Sequence, residues 1–383
     1  MNSVNFKVKA LVAVLAAGML AGAASAQTVQ GGGATLPEKF YKGIFASGNV
    51  IGSWTYLGTG SGTGKKAFLT NNASLFNTTG NVHFAGSDSA LSAADLTTYE
   101  PNKAAFGPVI QIPAVLTSVT LPYKRAGVTQ VNLTNDQVCK VFSNQITTWG
   151  GILGNGDTTP IRVVYRSDSS GTTELLATYL KEACPASYGF TKSSTFTAVV
   201  AGIPGGLPAN WVAANGSSGV KTALETDGSF SYLSPDYDYA PNDASKVAKI
   251  NGQLPTNISI PDSVVPPGNT GTLDPKNQLN WVPGYVLPAT AGPRAKYPIY
   301  GTTNLLINQC YADGVGATTV GGAVKDFVTK LNNGGYDSLI SQHQFVKLPA
   351  SWLNAIKSVF ITGDSNGLNI GNASVCNGKG RPS

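Results

Sequence analysis

The spacing of apolar positions predicts short helices separated by short strands. In "PEKFYKGIF" (37–45), Phe40, Tyr41, Ile44 and Phe45 fall on one side of a helix whose first turn suits Pro37. "TTELLATYLKEA" (172–183) repeats Leu175, Leu176, Tyr179 and Leu180 at helical spacing, with Glu174 where the helix dipole favours an acid. Segments 324–331 and 351–359 read as two more helices. Strand-like runs lie at 82–86, 109–123, 161–166, 230–234 and 297–310. Strands alternating with helices predict an α/β fold. Segments 207–219 and 254–298, rich in Pro, Gly and Asn, read as long surface excursions, and no internal repeat is visible.

The N-terminus changes the picture. Met1–Lys9 carries Lys7 and Lys9 and no acid, Ala10–Ala23 is small and apolar, and Ala24-Ser25-Ala26 is an A-x-A cleavage site. This pattern predicts a secretory signal peptide over residues 1–26, removed before Gln27. Its apolar core is too short and Ala-rich to span a membrane convincingly, and no later run is long enough. No cysteine follows the cleavage site to carry a lipid. The expectation is a periplasmic or secreted protein without an anchor.

The remaining chain is long enough for one large or two medium domains. The full sequence's 42% apolar content excludes disorder, while its 12% charged residues and 45 glycines predict a loop-rich globule. The formal charge of +6 falls to +4 when Lys7 and Lys9 are removed, and no Lys/Arg run offers a nucleic-acid stripe. Cys139, Cys184, Cys310 and Cys376 make an even count in an exported chain, which predicts two disulfides. Their wide spacing contains no C-x-x-C, so neither a zinc ribbon nor a redox motif fits, and all three pairings stay open.

"LGTGSGTGKKAF" (57–68) looks like a phosphate cradle. A nucleotide P-loop would place a glycine at Thr59 and a hydroxyl at Lys66, and the dinucleotide fingerprint fails at Thr63 and Lys65. Yet the segment shares a design with "GGGATLP" (31–37) and "RSDSSGTTE" (166–174): a turn of small residues, a hydroxyl, then a helix. Helix N-termini offer free N–H groups and a positive dipole end, and glycines let an anion approach the backbone. Arg166 stands beside the third segment. A fourth, "AGSDSALSAADL" (85–96), puts an acid, Asp88, into the same kind of turn. A buried carboxylate accepts the proton that phosphate carries near neutral pH, whereas sulfate would meet an unpaired negative charge. That difference is worth several kcal/mol, or discrimination of roughly 10⁴-fold.

These segments, with "VHFAGSDSALSA", "VVYRSDSSGTT" and the tail "LNIGNASVCNGKGRP", resemble the periplasmic phosphate-binding proteins of the PstS type, and most closely their DING-protein branch. The likeness spans the whole chain after the signal peptide. It departs at the start, where the branch has Asp-Ile-Asn-Gly and this chain reads Thr28-Val29-Gln30 before Gly31. The resemblance implies a two-lobe periplasmic-binding-protein fold (type II-like), hinged by strands near 110–117 and 297–303. It implies lobe one at 27–116 plus 301–383 and lobe two at 117–300. Pairing within lobes then gives Cys139–Cys184 and Cys310–Cys376. It further implies phosphate ligands at Thr35, Leu36, Ser61, Asp88, Arg166, Ser170, Gly171 and Thr172, with Asp168 orienting Arg166. Lys65 and Lys66 would be solvated, or a weak attractive field at the mouth. The implied function is capture of inorganic phosphate (HPO4 2-/H2PO4 -) by a monomer for an ABC transporter permease, with no cofactor and no nucleic acid.

Three other readings compete. A secreted metallophosphatase needs many His and Asp ligands, and the chain has two histidines, His83 and His343, which read as structural. "GDSNG" (363–367) matches a hydrolase elbow, but no histidine follows Ser365. A surface or adhesion protein could keep the fold without tight binding. Sulfate and molybdate are disfavoured by Asp88; arsenate, also protonated, is not.

Overall fold

The computed structural model describes residues 27–268 and 273–383; the expected signal peptide lies outside them. The chain begins with β1 (Thr28–Gly33), α1 (Glu38–Ala46), β2 (Ser53–Gly58), α2 (Ser61–Leu69), β3 (Phe84–Ser87), α3 (Ala93–Phe106) and β4 (Val109–Ser118). It continues through β5 (Tyr123–Lys124), β6 (Asn132–Leu133), α4 (Asn135–Phe142), α5 (Trp149–Leu153), β7 (Arg162–Arg166), α6 (Gly171–Ala183) and α7 (Phe196–Val199). Then come β8 (Val212–Ala214), α8 (Gly216–Ala223), β9 (Ser229–Ser231) and β10 (Lys249–Ile250). The last elements are β11 (Tyr300–Asn308), α9 (Val320–Asn333), α10 (Asp337–Gln342) and α11 (Ala350–Ile356).

Two sheets organise two α/β lobes. The first has strand order β2-β1-β3-β11-β4, and the second β5-β9-β7-β8. In the first, β1 runs parallel to β2 and β3, while β11 is antiparallel to β3 and β4. In the second, β7 runs parallel to β8 and β9. The carboxyl ends of parallel strands leave a crevice where loops meet helix starts. In the first lobe those ends are Gly33, Gly58 and Ser87; in the second, Arg166 and Ala214. β4 and β11 are paired along nearly their whole length, from Tyr300↔Ser118 to Asn308↔Val109.

β1 and β2 are absent from the hydrophobic pattern for a physical reason. "TVQGGG" has no apolar alternation, and glycine usually weakens a strand. Here neighbours press on it: a Cβ on Gly31 would enter the Phe84 ring, and Gly33, at φ +127, lies against the backbones of Gly64 and Gly86. α3 was hidden differently. It buries only Tyr99 and carries Pro101 inside, so it shows no apolar stripe; a reciprocal Ser92–Asp95 capping box starts it. Around the first sheet, Phe45 stacks on Trp54 at 5.0 Å, and Phe84 and Phe327 approach Trp54 to 5.2 and 5.1 Å. Around the second, Phe142, Phe196, Phe230 and Tyr232 pack together.

Neither expected surface excursion is merely that. Segment 207–219 contains β8 and the start of α8. Segment 254–298 is irregular but strapped down: Trp281 is fully buried against Phe360, Gln278 bonds Gln111 of β4, and Trp352 Nε1 donates to the Val264 carbonyl. Pro and Gly content forecast irregular backbone correctly; exposure did not follow, because large side chains between the prolines bury themselves.

The disulfides are Cys139–Cys184 and Cys310–Cys376, as the resemblance implied. Near the second, Arg381 is fully buried beside the first sheet. Its guanidinium lies 4.0 Å from the Phe68 ring centroid and donates to the carbonyls of Val82 (2.6 Å) and Phe68 (2.9 Å) and to Asn308 Oδ1. Burial pulls its pKa down to about 10.

Candidate functional site

Each lobe sends helix N-termini into the crevice. From the first lobe come Thr35 and Leu36 before α1, Ser61 opening α2, and Asp88 after β3. From the second come Arg166 at the end of β7, Ser170 as the N-cap of α6, and Gly171 and Thr172 in its first turn. The side chains of Thr35, Leu36, Ser61, Asp88, Arg166, Ser170 and Thr172 are all at most 5% exposed. The lobes meet tightly here. The Gly62 N–H donates to the Ser169 carbonyl at 3.1 Å, and a Cβ added to Gly171 would strike Ser61 Oγ and Asp88 Cβ. Thus the fold brings the sequence-derived residues of both lobes into one buried locus.

The hydroxyls are oriented by the backbone. Ser61 Oγ accepts the Asp88 N–H at 3.0 Å, and Ser170 Oγ accepts the Thr173 N–H at 3.2 Å. A hydroxyl has one proton and two lone pairs. With a lone pair engaged from behind, each keeps its proton to donate. The first-turn N–H groups of α6 have no intrahelical acceptor and add donors and positive dipole.

Arg166 is held through both its side chain and its backbone. Its Nε donates to Asp168 Oδ1 at 2.7 Å, its Nη2 pairs with Asp168 Oδ2, and its N–H donates to Tyr232 Oη at 3.0 Å. Tyr232 in turn shares a 2.7 Å hydrogen bond with Thr173 Oγ1. Burial of Asp168 works against its charge, but the Arg166 guanidinium and the Gly216 N–H outweigh this and hold its pKa below the usual value. Asp168 therefore fixes the plane of the guanidinium fork, whose geometry suits paired oxyanion oxygens.

Asp88 is the opposite case. Burial pushes its pKa up to about 7; Thr303, Arg166 and Thr172 pull it down only part of the way. Among the described residues, Asp88 Oδ1, Thr172 Oγ1 and Thr303 Oγ1 are buried without a hydrogen-bond partner. The cluster therefore combines many donors, one cation and one carboxyl able to accept a proton. Such a set suits a small tetrahedral oxyanion that still carries a hydrogen.

The structure also corrects and extends the sequence reading. Lys65 is not solvated: α2 turns it toward the start of α3, where its Nζ donates to Asp95 Oδ2 at 2.9 Å and to the Ala90 carbonyl at 3.2 Å. Lys66 is exposed. His83 accepts the Gln30 N–H through Nδ1, and His343 pairs with Asp236; neither bonds a site residue. Two residues were missed. Thr303, on β11, could not be tied to Asp88 without tertiary structure. Ser217 could have been found: "NGSSG" (215–219) is another hydroxyl-rich turn opening a helix, overlooked because the region read as a surface loop.

The comparisons with known proteins point the same way. The PBP superfamily domain matches residues 21–329. Alkaline phosphatase L of Pseudomonas aeruginosa is 46% identical over 365 residues, covering 94% of this chain and 95% of that protein. A phosphate-binding protein from an unknown prokaryotic organism is 42% identical, covering 92% of this chain and 100% of that one. Among solved structures, the phosphate-bound periplasmic phosphate-binding protein PfluDING is 42% identical over 93% of this chain and 100% of its own, with a TM-score of 0.83. The phosphate-binding protein of Stenotrophomonas maltophilia is 38% identical, covering 94% of this chain and 100% of its own, with a TM-score of 0.82.

Proposed function

The chain belongs to the PBP superfamily, in its DING-type branch, and from this we propose that it captures inorganic phosphate between its lobes and hands it to an ABC transporter permease. The observation that carries the reading is Asp88: a buried carboxyl with an unpartnered oxygen, set among hydroxyl and N–H donors and opposite Arg166. Thr35, Leu36, Ser61, Arg166, Ser170, Gly171 and Thr172 donate to the anion, and Asp88 accepts its remaining proton. Sulfate satisfies the donors but leaves Asp88 facing a like charge. Release follows hinge opening across β4 and β11.

The lobe bounds we infer are 27–116 plus 301–383 for lobe one and 117–300 for lobe two, apart from the stretch of 254–298 that packs on lobe one. The paired β4 and β11 support these boundaries. The contacts of Val264, Gln278 and Trp281 with Trp352, Gln111 and Phe360 carry part of the intervening segment with lobe one. Export to the periplasm or beyond rests on the signal-peptide pattern. Among the described residues no helix is long and apolar enough to cross a membrane.

A hydrolytic reading is favoured by one observation, the name alkaline phosphatase L borne by a 46% identical relative. Against it, Ser61 and Ser170 accept hydrogen bonds from backbone N–H groups, and neither histidine bonds either hydroxyl. One experiment separates the readings. The processed chain, stripped of ligand by mild unfolding and refolding, is titrated with phosphate and sulfate in a calorimeter and assayed on a chromogenic phosphate ester with and without chelator. Micromolar or tighter phosphate binding, silent sulfate and no turnover support capture. Folded protein giving no phosphate heat at two temperatures refutes it, and ester turnover abolished by Ser61→Ala or Ser170→Ala establishes hydrolysis.

A further inference from the structure

Ser217, in the first turn of α8 on the second lobe, contacts both lobes. Its N–H donates to Thr35 Oγ1 at 3.2 Å, and its Oγ lies 2.9 Å from the same atom. Arg166 Nη1 reaches Ser217 Oγ at 3.5 Å, and Asp168 Oδ1 accepts the adjoining Gly216 N–H at 3.0 Å. Both hydroxyls are buried, Ser217 completely. A polar chain therefore runs Asp168–Arg166–Ser217–Thr35 and crosses from one lobe to the other at the anion locus.

Proton counting limits the directions this chain can take. Arg166 has only donors, so Ser217 Oγ accepts from it. Ser217 Oγ keeps its proton and a second lone pair, so either hydroxyl can donate across the 2.9 Å contact with Thr35 Oγ1. Thr35 Oγ1 already accepts the Ser217 N–H. When an anion accepts a hydrogen bond from Thr35, Ser217 Oγ can supply the proton of their contact, and both lone pairs of Thr35 are then occupied. Ser61 and Ser170 are oriented from within their own lobes; Thr35 is oriented from the opposite lobe, and only when the two are together.

We propose that Ser217 is a positioning residue for anion capture: across the two lobes it supports Thr35 as a donor to the anion and so couples the Arg166 side of the site to the α1 side. The inference rests on the phosphate reading above. A contact that bridges the lobes is lost when they part, so Ser217 slows release and leaves encounter unchanged. Removing it raises the dissociation rate about 10-fold, the scale of one hydrogen bond to an engaged polar partner, with the association rate unaltered. The effect acts through the Thr35 hydroxyl, so it shrinks to less than about 2-fold once that hydroxyl is gone.

The test is stopped-flow phosphate binding to the processed chain, to Ser217→Ala, to Thr35→Ala and to the double variant, with calorimetry and ligand-free thermal unfolding of each. The expected result is a faster dissociation in Ser217→Ala, an unchanged association rate, an unchanged ligand-free midpoint, and non-additivity in the double variant. Ser217→Thr, which keeps the hydroxyl, restores slow dissociation. Equal effects of Ser217→Ala in both Thr35 backgrounds would mean a merely structural role and overturn the inference, as would no effect at all, while leaving phosphate capture standing. A silent unaltered chain would overturn both.

Discussion

Replacing Asp88 with asparagine should stabilise the ligand-free protein, by an amount set by pH. Asparagine copies the shape of the neutral acid but never ionises. Below the ordinary carboxyl value of 3.8 the Asp88 side chain is protonated whether the chain is folded or not, and the substitution changes little. Between 3.8 and about 7 the folded chain retains a proton that the unfolded chain has lost, so the unaltered protein loses stability as pH rises. Above about 7 the loss levels off. A shift of roughly 3 units at 1.36 kcal/mol each makes the full penalty about 4 kcal/mol. The gain from Asp88→Asn should therefore be near ~1 kcal/mol at pH 4.5 and ~4 kcal/mol at pH 8.5. Urea unfolding of stripped protein at the two pH values, in buffer free of oxyanions, measures it. An equal gain at both pH values, or none at pH 8.5, would refute the claim that burial dominates this carboxyl. The same variant in the titration above should lose sulfate exclusion, which ties the stability penalty to selectivity.

Two further outcomes follow from the geometry. Arg166→Met removes a buried cation and leaves Asp168 unpaired, so phosphate affinity measured by calorimetry should fall by 2–5 kcal/mol in round terms, roughly 30- to several-thousand-fold. Replacing Cys310 and Cys376 with serine opens the closure of 66 residues and should cost about 2–5 kcal/mol in urea unfolding, with phosphate affinity of the folded protein within 2-fold or so, because neither cysteine touches the crevice.

How far the sequence could be read depended on what kind of physics each element uses. α1 and α6 advertise themselves through apolar stripes, and β4, β7 and β11 through β-branched and aromatic runs, so both sheets were partly legible. β1 was not, because its three glycines are dictated by Phe84 (Gly31), Leu57 and Phe76 (Gly32), and Gly64 and Gly86 (Gly33), which only the folded sheet brings near. The four phosphate-like turns were legible because hydroxyls, glycines and an acid at helix starts have few other joint uses. Ser217 carries the same signal, but the prolines and glycines around it make its stretch look like a surface loop. Thr303 carried none, since a threonine on a buried strand looks like any other. Lys65 misled because a lysine after glycines suggests solvent or anion, whereas its partner Asp95 becomes a neighbour only when α2 and α3 pack.

The buried Arg381 has a consequence for synthesis. Its Nη2 bonds the carbonyl of Phe68, 313 residues earlier, and β3 joins β11 through an Asn304–Ser87 contact spanning 217 residues. The first sheet therefore cannot be completed while the ribosome is still translating the second lobe. At the usual 5–20 residues per second, the interval between Phe68 and Arg381 is roughly 15–60 s. For that time the sheet whose strands are made first is the one finished last.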